Sequence, residues 1–186
     1  MSKIAVLFPG IGYTCDRPLL YYAGKLCASL GYEVVRVTYG GFPDGVKGNA
    51  DKMHQAYLMA LDQAEEKLAN INWATYEDIV FIGKSVGTVV ADAYAEKHQL
   101  CARLILLTPV EETFEHISGS AIAFHGTADP WARTEDIIKA CEGRIPLFLT
   151  EGANHSLETG DVEKDIQTVE QTMKHIAAFV KGEVVG

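Results

Sequence analysis

The chain has 186 residues, of which 48 % are apolar and 22 % are charged, as expected for one globular domain over residues 1–186. Its formal net charge of −9 disfavours nucleic acid as a partner, because that binding depends on Lys and Arg at phosphates. No apolar run approaches the ~18 residues of a membrane span, and the first run is too short for a signal peptide. We therefore expect a cytoplasmic protein without a membrane partner.

The cysteines are spread along the chain and predict neither disulfides nor a metal site. No CxxC pair occurs, and no histidine stands at metal-ligand spacing from a cysteine. Buried thiols in a reducing compartment are expected instead, and neither a metal ion nor another cofactor is expected. These residues are Cys15, Cys27, Cys101 and Cys141.

Short aliphatic and β-branched runs alternate with longer amphipathic segments. Most of the short runs are continuously apolar, which is typical of strands buried on both faces of a parallel sheet. The strands are predicted at Ile4–Phe8, Val34–Tyr39, Ile79–Ile82, Leu104–Thr108, Ala121–His125 and Leu147–Thr150. Helices are predicted from a cap at Asp16 to Leu30, over Ala50–Ile71 and Val86–His98, from a cap at Thr134 to Cys141, and over Asp161–Lys181.

This alternation predicts an α/β fold, with a doubly wound, mainly parallel six-stranded sheet between two helical layers. In such sheets ligands bind at the carboxyl ends of the strands.

Two of the predicted helices show apolar stripes at 3.6-residue spacing. One stripe consists of Met53, Tyr57, Leu61, Ala64 and Leu68, and the other of Ile166, Val169, Met173, Ile176 and Val180.

The segment DIVFIGKSVGTVVADAYA, Asp78–Ala95, allows two interpretations. GKS ends a phosphate-binding P-loop, whereas GKSVG fits the nucleophile elbow G-x-S-x-G. A P-loop requires a glycine where Asp78 stands, and Ile79–Ile82 predict a strand instead of an anion-binding loop. The elbow requires a strand, a tight turn that carries the nucleophile, and a helix, in that order. The sequence meets this requirement and makes Ser85 the candidate nucleophile.

A serine nucleophile needs a base, and the base needs a carboxylate that orients it. The segment AIAFHGTADP places Asp129 just after the fifth predicted strand, and LFLTEGANHSLE places His155 just after the sixth. The order Ser, acid, His is the one that follows from an elbow in this type of sheet. The sequence therefore predicts a catalytic triad of Ser85, Asp129 and His155.

Four motifs together resemble the α/β-hydrolase fold superfamily over nearly the whole chain. They are FPGIG after the first strand, the elbow GKSVG, HGTADP and GANHSLE. The last two look like the small cytoplasmic dienelactone-hydrolase-like and esterase-like members. The resemblance implies a sheet without the first two strands of the superfamily and a strand order of 2-1-3-4-5-6.

The same resemblance implies an oxyanion hole built from two backbone N–H groups. One belongs to Val86, directly after the nucleophile. The other belongs to Ile11 in the loop after the first strand, where many relatives have His-Gly-x and this chain has Pro9-Gly10-Ile11.

Other side chains stand near these loops. Tyr13 and Trp131 either line the substrate pocket or pack as covering aromatics. We expect Lys84 to be solvated at the turn and His125 to be a structural histidine. The acidic residues after the fourth strand are expected to be solvated surface; they are Glu111, Glu112 and Glu115.

The connection over residues 109–120 is too short for an inserted cap, so an open and shallow site is expected. The sequence thus predicts a metal-free serine hydrolase that acts on a small carboxylic ester or thioester through an acyl-enzyme. The alternative is a non-catalytic binding or interaction protein on the same scaffold, against which the complete triad argues. The sequence predicts no oligomeric state.

Overall fold

The computed structural model describes residues 2–46, 48–115, 117 and 119–183. Its strands are β1 Lys3–Phe8, β2 Glu33–Arg36, β3 Asp78–Lys84, β4 Ala102–Leu107, β5 Ala121–Gly126 and β6 Leu147–Thr150. They form one six-stranded sheet in the order β2-β1-β3-β4-β5-β6, and every neighbouring pair is parallel. The predicted fold class and strand order are confirmed.

Helices cover both faces of the sheet, which is why its central strands are mainly apolar. The helices are α1 Pro18–Ser29, α2 Ala50–Leu68, α3 Val86–Lys97, α4 Thr134–Cys141 and α5 Val162–Lys181. Helices α1 and α5 pack on one face, and α2, α3 and α4 pack on the other. The two faces thus bury two separate apolar cores.

Successive residues of β3 alternate between these two cores, as the pleat of a strand requires. Ile79 and Phe81 belong to the core under α2, α3 and α4. Val80 and Ile82 belong to the core under α1 and α5. The same alternation places Lys84, two residues after Ile82, on the α1–α5 face.

Both predicted helix caps are wrong. Helix α1 begins at Pro18 without a side-chain cap, and Asp16 lies too early in the chain to serve as one. Its carboxylate instead accepts a hydrogen bond from Arg36 at 3.0 Å. Thr134 is the first residue of α4, not the residue before it, and its hydroxyl lies 3.2 Å from Nε2 of His125.

Two elements are shorter than predicted. Strand β2 ends at Arg36 instead of Tyr39, although the Val37 N–H still donates to the Leu7 carbonyl at 3.0 Å. Helix α2 ends at Leu68, so Ile71 lies in the following turn. Both differences are at element ends, where sequence pattern is a weak guide.

The cysteines are free thiols, and three of them are buried as predicted. The prediction is wrong for Cys101, which is exposed because it lies in the surface connection between α3 and β4. Among the described residues, no helix combines the length and hydropathy needed to cross a membrane.

The connection after β4 contains one short 3₁₀ helix, Glu111–Phe114. His116 and Ser118 lie outside the described residues. Among the described residues of this connection, no element is long enough to form a cap over the carboxyl end of the sheet.

Helix α5 buries only part of its apolar stripe. Ile176 and Val180 are buried, and Val169 and Met173 are partly buried against the same core. Ile166 is 65 % exposed, because the first turns of α5 extend past the core that the helix forms with α1 and the sheet. The stripe therefore packs on the core only from Val169 onward.

This difference predicts contrasting effects of one substitution at two sites on α5. Ile176→Ala should lower the free energy of unfolding by about 2–5 kcal/mol, since it leaves a cavity in a closed core. Ile166→Ala, the matched control, should change it by no more than about 0.5 kcal/mol. Urea denaturation of both variants measures the contrast, and equal losses would contradict the described burial.

Candidate active site

Ser85 occupies a strained turn between β3 and α3. Its backbone has φ 55° and ψ −126°, a conformation that residues with a Cβ rarely adopt. The Ser85 N–H donates to the Leu107 carbonyl at 3.0 Å, and its carbonyl accepts from the Thr88 N–H at 2.8 Å. These bonds join the turn to β4 on one side and to α3 on the other, which holds the strained conformation in place.

The turn depends on two glycines at which backbone segments touch. A Cβ on Gly83 would lie 2.5 Å from the carbonyl oxygen of Gly87. A Cβ on Gly87 would overlap the carbonyl oxygens of Phe8 and Pro9 at the end of β1. The two glycines of the G-x-S-x-G motif are therefore required by the space between β1, β3 and α3.

The predicted acid and histidine contact one another directly. Nδ1 of His155 lies 2.7 Å from Oδ2 of Asp129, and the Trp131 N–H donates to Oδ1 of Asp129 at 2.8 Å. The Asp129 side chain is 0 % exposed. A carboxylate can only accept, so Nδ1 of His155 carries the proton and Nε2 is the basic nitrogen of the neutral ring.

Asp129 stays ionised despite its burial. Burial by itself raises the pKa of this carboxyl, but hydrogen bonds from His155 and the Trp131 amide act in the other direction. The nearby histidines add to their effect, and the net pKa of Asp129 lies below its usual value. The carboxylate is therefore a fixed negative charge against the His155 imidazole at neutral pH.

The loops that carry Asp129 and His155 are joined by backbone contacts. The Ala128 N–H donates to the Ala153 carbonyl at 2.9 Å, and the Gly152 N–H donates to the Thr127 hydroxyl at 2.8 Å. A Cβ on Gly126 would overlap the Ala153 carbonyl oxygen. The approach of the two loops therefore depends on the glycine of the HGTADP motif.

His125 is completely buried behind the Asp129 carboxylate. Its Nδ1 lies 3.8 Å from Oδ2 of Asp129 and finds no hydrogen-bond partner among the described residues. Burial lowers the pKa of His125, while the charge of Asp129 opposes that effect. The ring is thus neutral and packs against the Asp129 carboxylate.

A tight turn over Gly10–Tyr13 faces the elbow. The Gly10 N–H donates to the Tyr13 carbonyl at 3.0 Å, the Tyr13 N–H donates back at 3.3 Å, and Gly12 has φ +77°. The predicted oxyanion donors, Ile11 and Val86, both line the cleft that contains Ser85. Among the described residues, no hydrogen bond uses either of their N–H groups.

Lys84 differs most from its prediction. It is 1 % exposed instead of solvated, and its Nζ lies 4.8 Å from the centroid of the Tyr13 ring. The reason is the alternation along β3, which directs this side chain to the α1–α5 face under the Gly10–Tyr13 turn.

A cleft of about 550 Å³ opens beside Ser85 and His155. Tyr13 and Trp131 both line it, and the exposed Trp131 ring lies 6.4 Å from that of His155. The cleft is less shallow than predicted, because helix α2 forms its opposite wall. Sequence reasoning missed this wall: it placed Met53 and Tyr57 on the apolar stripe of α2 and gave neither a role at the site, but both line the cleft.

The far end of this cleft is acidic. Glu112 and Glu115 are exposed, as predicted, but they also line the cleft together with Asp92. Within the described ranges, no three His, Cys, Asp or Glu side chains are placed to bind a metal ion.

We compared the sequence and the fold of the chain with those of known proteins. No family model matches the chain, and no curated protein matches its sequence. Solved structures do match its fold. A protein of unknown function from Agrobacterium tumefaciens, proposed to be an α/β hydrolase, is 18 % identical over 100 % of this chain and 88 % of its own, with a TM-score of 0.67.

Two further structures carry more specific descriptions. Est1E from Butyrivibrio proteoclasticus, with ferulic acid bound, is 13 % identical over 99 % of this chain and 90 % of its own, with a TM-score of 0.69. A serine hydrolase without a lid from Xanthomonas campestris is 12 % identical over 94 % of this chain and 83 % of its own, with a TM-score of 0.55. The chain therefore has the α/β-hydrolase fold.

The crowding at Gly87 yields a prediction about stability. Gly87→Ala should lower the free energy of unfolding by about 1–3 kcal/mol, since the new methyl group overlaps the end of β1. The loss should appear although alanine is ordinarily about 1 kcal/mol better than glycine within a helix. Gly40→Ala is the control, because nothing lies within 4 Å of a Cβ there. Chemical denaturation measures both, and a stabilised Gly87→Ala variant would refute the close approach.

Proposed function

We propose that the protein is a serine hydrolase that cleaves a small carboxylic ester or thioester. The observation that most supports this is the 2.7 Å contact between His155 and Asp129, in a cleft that also contains Ser85 on a strained elbow. Its fold neighbours include an esterase from Pyrococcus furiosus and the serine hydrolase without a lid, which agrees with the proposal at the level of reaction class.

In the first half of the reaction, Oγ of Ser85 attacks the carbonyl carbon of the substrate. Nε2 of His155 takes the hydroxyl proton, and the Asp129 carboxylate stabilises the imidazolium that forms. The carbonyl oxygen becomes an oxyanion, for which the N–H groups of Ile11 and Val86 are the proposed donors. Collapse of this intermediate breaks the ester or thioester bond, and the leaving alcohol or thiol receives the proton from His155.

In the second half, water replaces the leaving group. His155 removes a proton from this water as it attacks the acyl carbon on Ser85. The second tetrahedral intermediate releases the carboxylic acid and returns the proton to Oγ of Ser85. Atoms and charge balance without a cofactor.

The lining of the cleft supports recognition of the acyl group of a substrate. Its walls near Ser85 are mainly apolar, with Val86 and Val89 of α3 facing Met53 and Tyr57 of α2. A volume of about 550 Å³ lies in the range of small-molecule sites, so the acyl group of a small substrate can pack on these walls. A screen of acyl chain lengths on nitrophenyl esters and thioesters measures which length fits them best.

An activity-based fluorophosphonate probe tests the nucleophile. It should label the wild type at neutral pH, since the probe reacts with an activated serine, and Ser85→Ala should abolish labelling. Ser156→Ala is the matched control, because Ser156 lines the same cleft but has no role in the proposed mechanism. A folded wild type that stays unlabelled would support the alternative, a binding protein on a hydrolase scaffold.

The pH dependence tests the base. Since the pKa of Asp129 lies below its usual value, this carboxylate stays charged throughout the weakly acidic range. The fall of kcat/KM on acidification should therefore come from protonation of His155, and a histidine ordinarily titrates near ~6.5. A steady-state profile of kcat/KM from pH 5 to pH 7 measures this fall, and a flat profile there would exclude His155 as the base.

A substitution tests the acid. Asp129→Asn should lower kcat by up to about 10⁴-fold, because the amide no longer holds the His155 imidazole in the required orientation and tautomer. Steady-state kinetics on a nitrophenyl ester measures the loss.

A further inference from the structure

Lys84 is a charged side chain at an interior position. It follows Val80 and Ile82 on the α1–α5 face of β3, where the neighbouring buried residues include Leu19 and Leu157. At 1 % exposure it belongs to a class of side chain that is almost never fully buried unless it is paired. Its position, directly before the nucleophile and among apolar neighbours, requires an explanation.

The ammonium of Lys84 lies under the turn that carries a proposed oxyanion donor. Its Nζ is 4.8 Å from the Tyr13 ring centroid, within the range of a cation–π interaction. Tyr13 is held from the other side by its hydroxyl, which accepts from the Leu19 N–H at 3.1 Å. Since Tyr13 and Gly10 close the turn through two backbone hydrogen bonds, the ring position also sets where Ile11 lies.

Charged and titratable groups from three loops face Lys84. They are Tyr13 from the Gly10–Tyr13 turn, Asp129 from the loop after β5, and Glu158 from the loop after β6. Burial lowers the pKa of Lys84 to about 7, and the charges of Asp129 and Glu158 oppose that effect. Burial raises the pKa of Tyr13 to about 12, so this ring stays neutral and serves as the π partner.

We propose that Lys84 is a positioning residue, whose buried ammonium holds the Tyr13 ring and thereby fixes the oxyanion turn against the nucleophile strand. This proposal rests on the serine-hydrolase function proposed above. Its cationic form also places a positive charge beneath the site where negative charge develops in the reaction. The neutral amine lacks both effects.

This role is expected to have a cost in stability. The folded protein binds the Lys84 proton less tightly than the unfolded chain, where lysine titrates near ~10.4. Between about pH 7 and that value, the unfolded state holds more protons, so the free energy of unfolding rises with pH. A neutral side chain at position 84 removes this dependence and should make the protein more stable at pH 6.

Three variants test the proposal. Lys84→Met fills the same space without a charge, and Lys84→Arg keeps the charge at every accessible pH. Lys25→Met is the matched control, because Lys25 also lies over a tyrosine ring, at 5.6 Å from that of Tyr21, but is exposed. The measurements are kcat and KM on nitrophenyl acetate from pH 5.5 to pH 9, and unfolding by urea over the same range.

In the wild type, kcat should fall on the alkaline side of about pH 7 as Lys84 loses its proton. Lys84→Met should lower kcat at pH 6.5 by at least ten-fold, somewhat less than the ~10²–10³-fold loss for a missing oxyanion donor. Its KM should be nearly unchanged, because the ground-state complex contains no oxyanion, which forms only in the tetrahedral intermediate and the transition states around it. The alkaline fall should disappear in Lys84→Met and move beyond pH 9 in Lys84→Arg. Lys25→Met should match the wild type.

Two results would overturn the inference. One is a Lys84→Met enzyme with wild-type kcat, and the other is an alkaline fall that survives in that variant. A purely structural lysine would lower stability when replaced, whereas this role predicts a more stable and less active protein.

A readout without turnover separates this inference from the proposed function. In a His155→Ala background, where no imidazole titrates at that position, the amide resonance of Ile11 in ¹⁵N NMR spectra should shift with a midpoint near pH 7, and this step should be absent when Lys84→Met is added. If the fluorophosphonate probe fails on the wild type, the hydrolase function falls, while the Ile11 titration still decides whether Lys84 holds the turn. An Ile11 amide without that step refutes the role of Lys84 whatever the activity.

Discussion

The close approach of three backbone segments around Ser85 is the constraint on which the rest of the site depends. Strand β3 ends directly before Ser85, and α3 begins directly after it. The end of β1 passes so near that Gly87 has no room for a side chain. The φ of 55° at Ser85 is tolerated because hydrogen bonds to Leu107 and Thr88 hold it. The same crowding brings the Gly10–Tyr13 turn beside Ser85.

A second region of close backbone contact fixes the positions of Asp129 and His155. Gly126 lets the loop after β6 rest on the end of β5, and the bonds from Ala128 and Gly152 fasten the two loops together. The 2.7 Å pair of Asp129 and His155 is therefore placed by backbone geometry. The buried His125 ring packs behind the Asp129 carboxylate and restricts rotation of that side chain.

Much of this arrangement could be predicted, because the evidence for it is local. Continuous apolar runs marked the strands, and polar residues at their carboxyl ends marked the loops that face the cleft. What could not be predicted depends on partners distant in the chain. Lys84 was taken as solvated although alternation from Ile82 pointed inward, since only the fold shows that Tyr13 covers it. Ile166 and Met53 fit helical stripes, but a stripe does not show where a neighbouring element stops covering it.

Helix α2 has one side that is buried and another side that lines the cleft. Ala56 and Ala60 are buried, whereas Met53 and Tyr57 line the cleft. Substitutions at Met53 and Tyr57 can reshape the cleft while the small residues on the buried side of the helix stay unchanged. The shape of the cleft can therefore change independently of the packing that holds α2 in place.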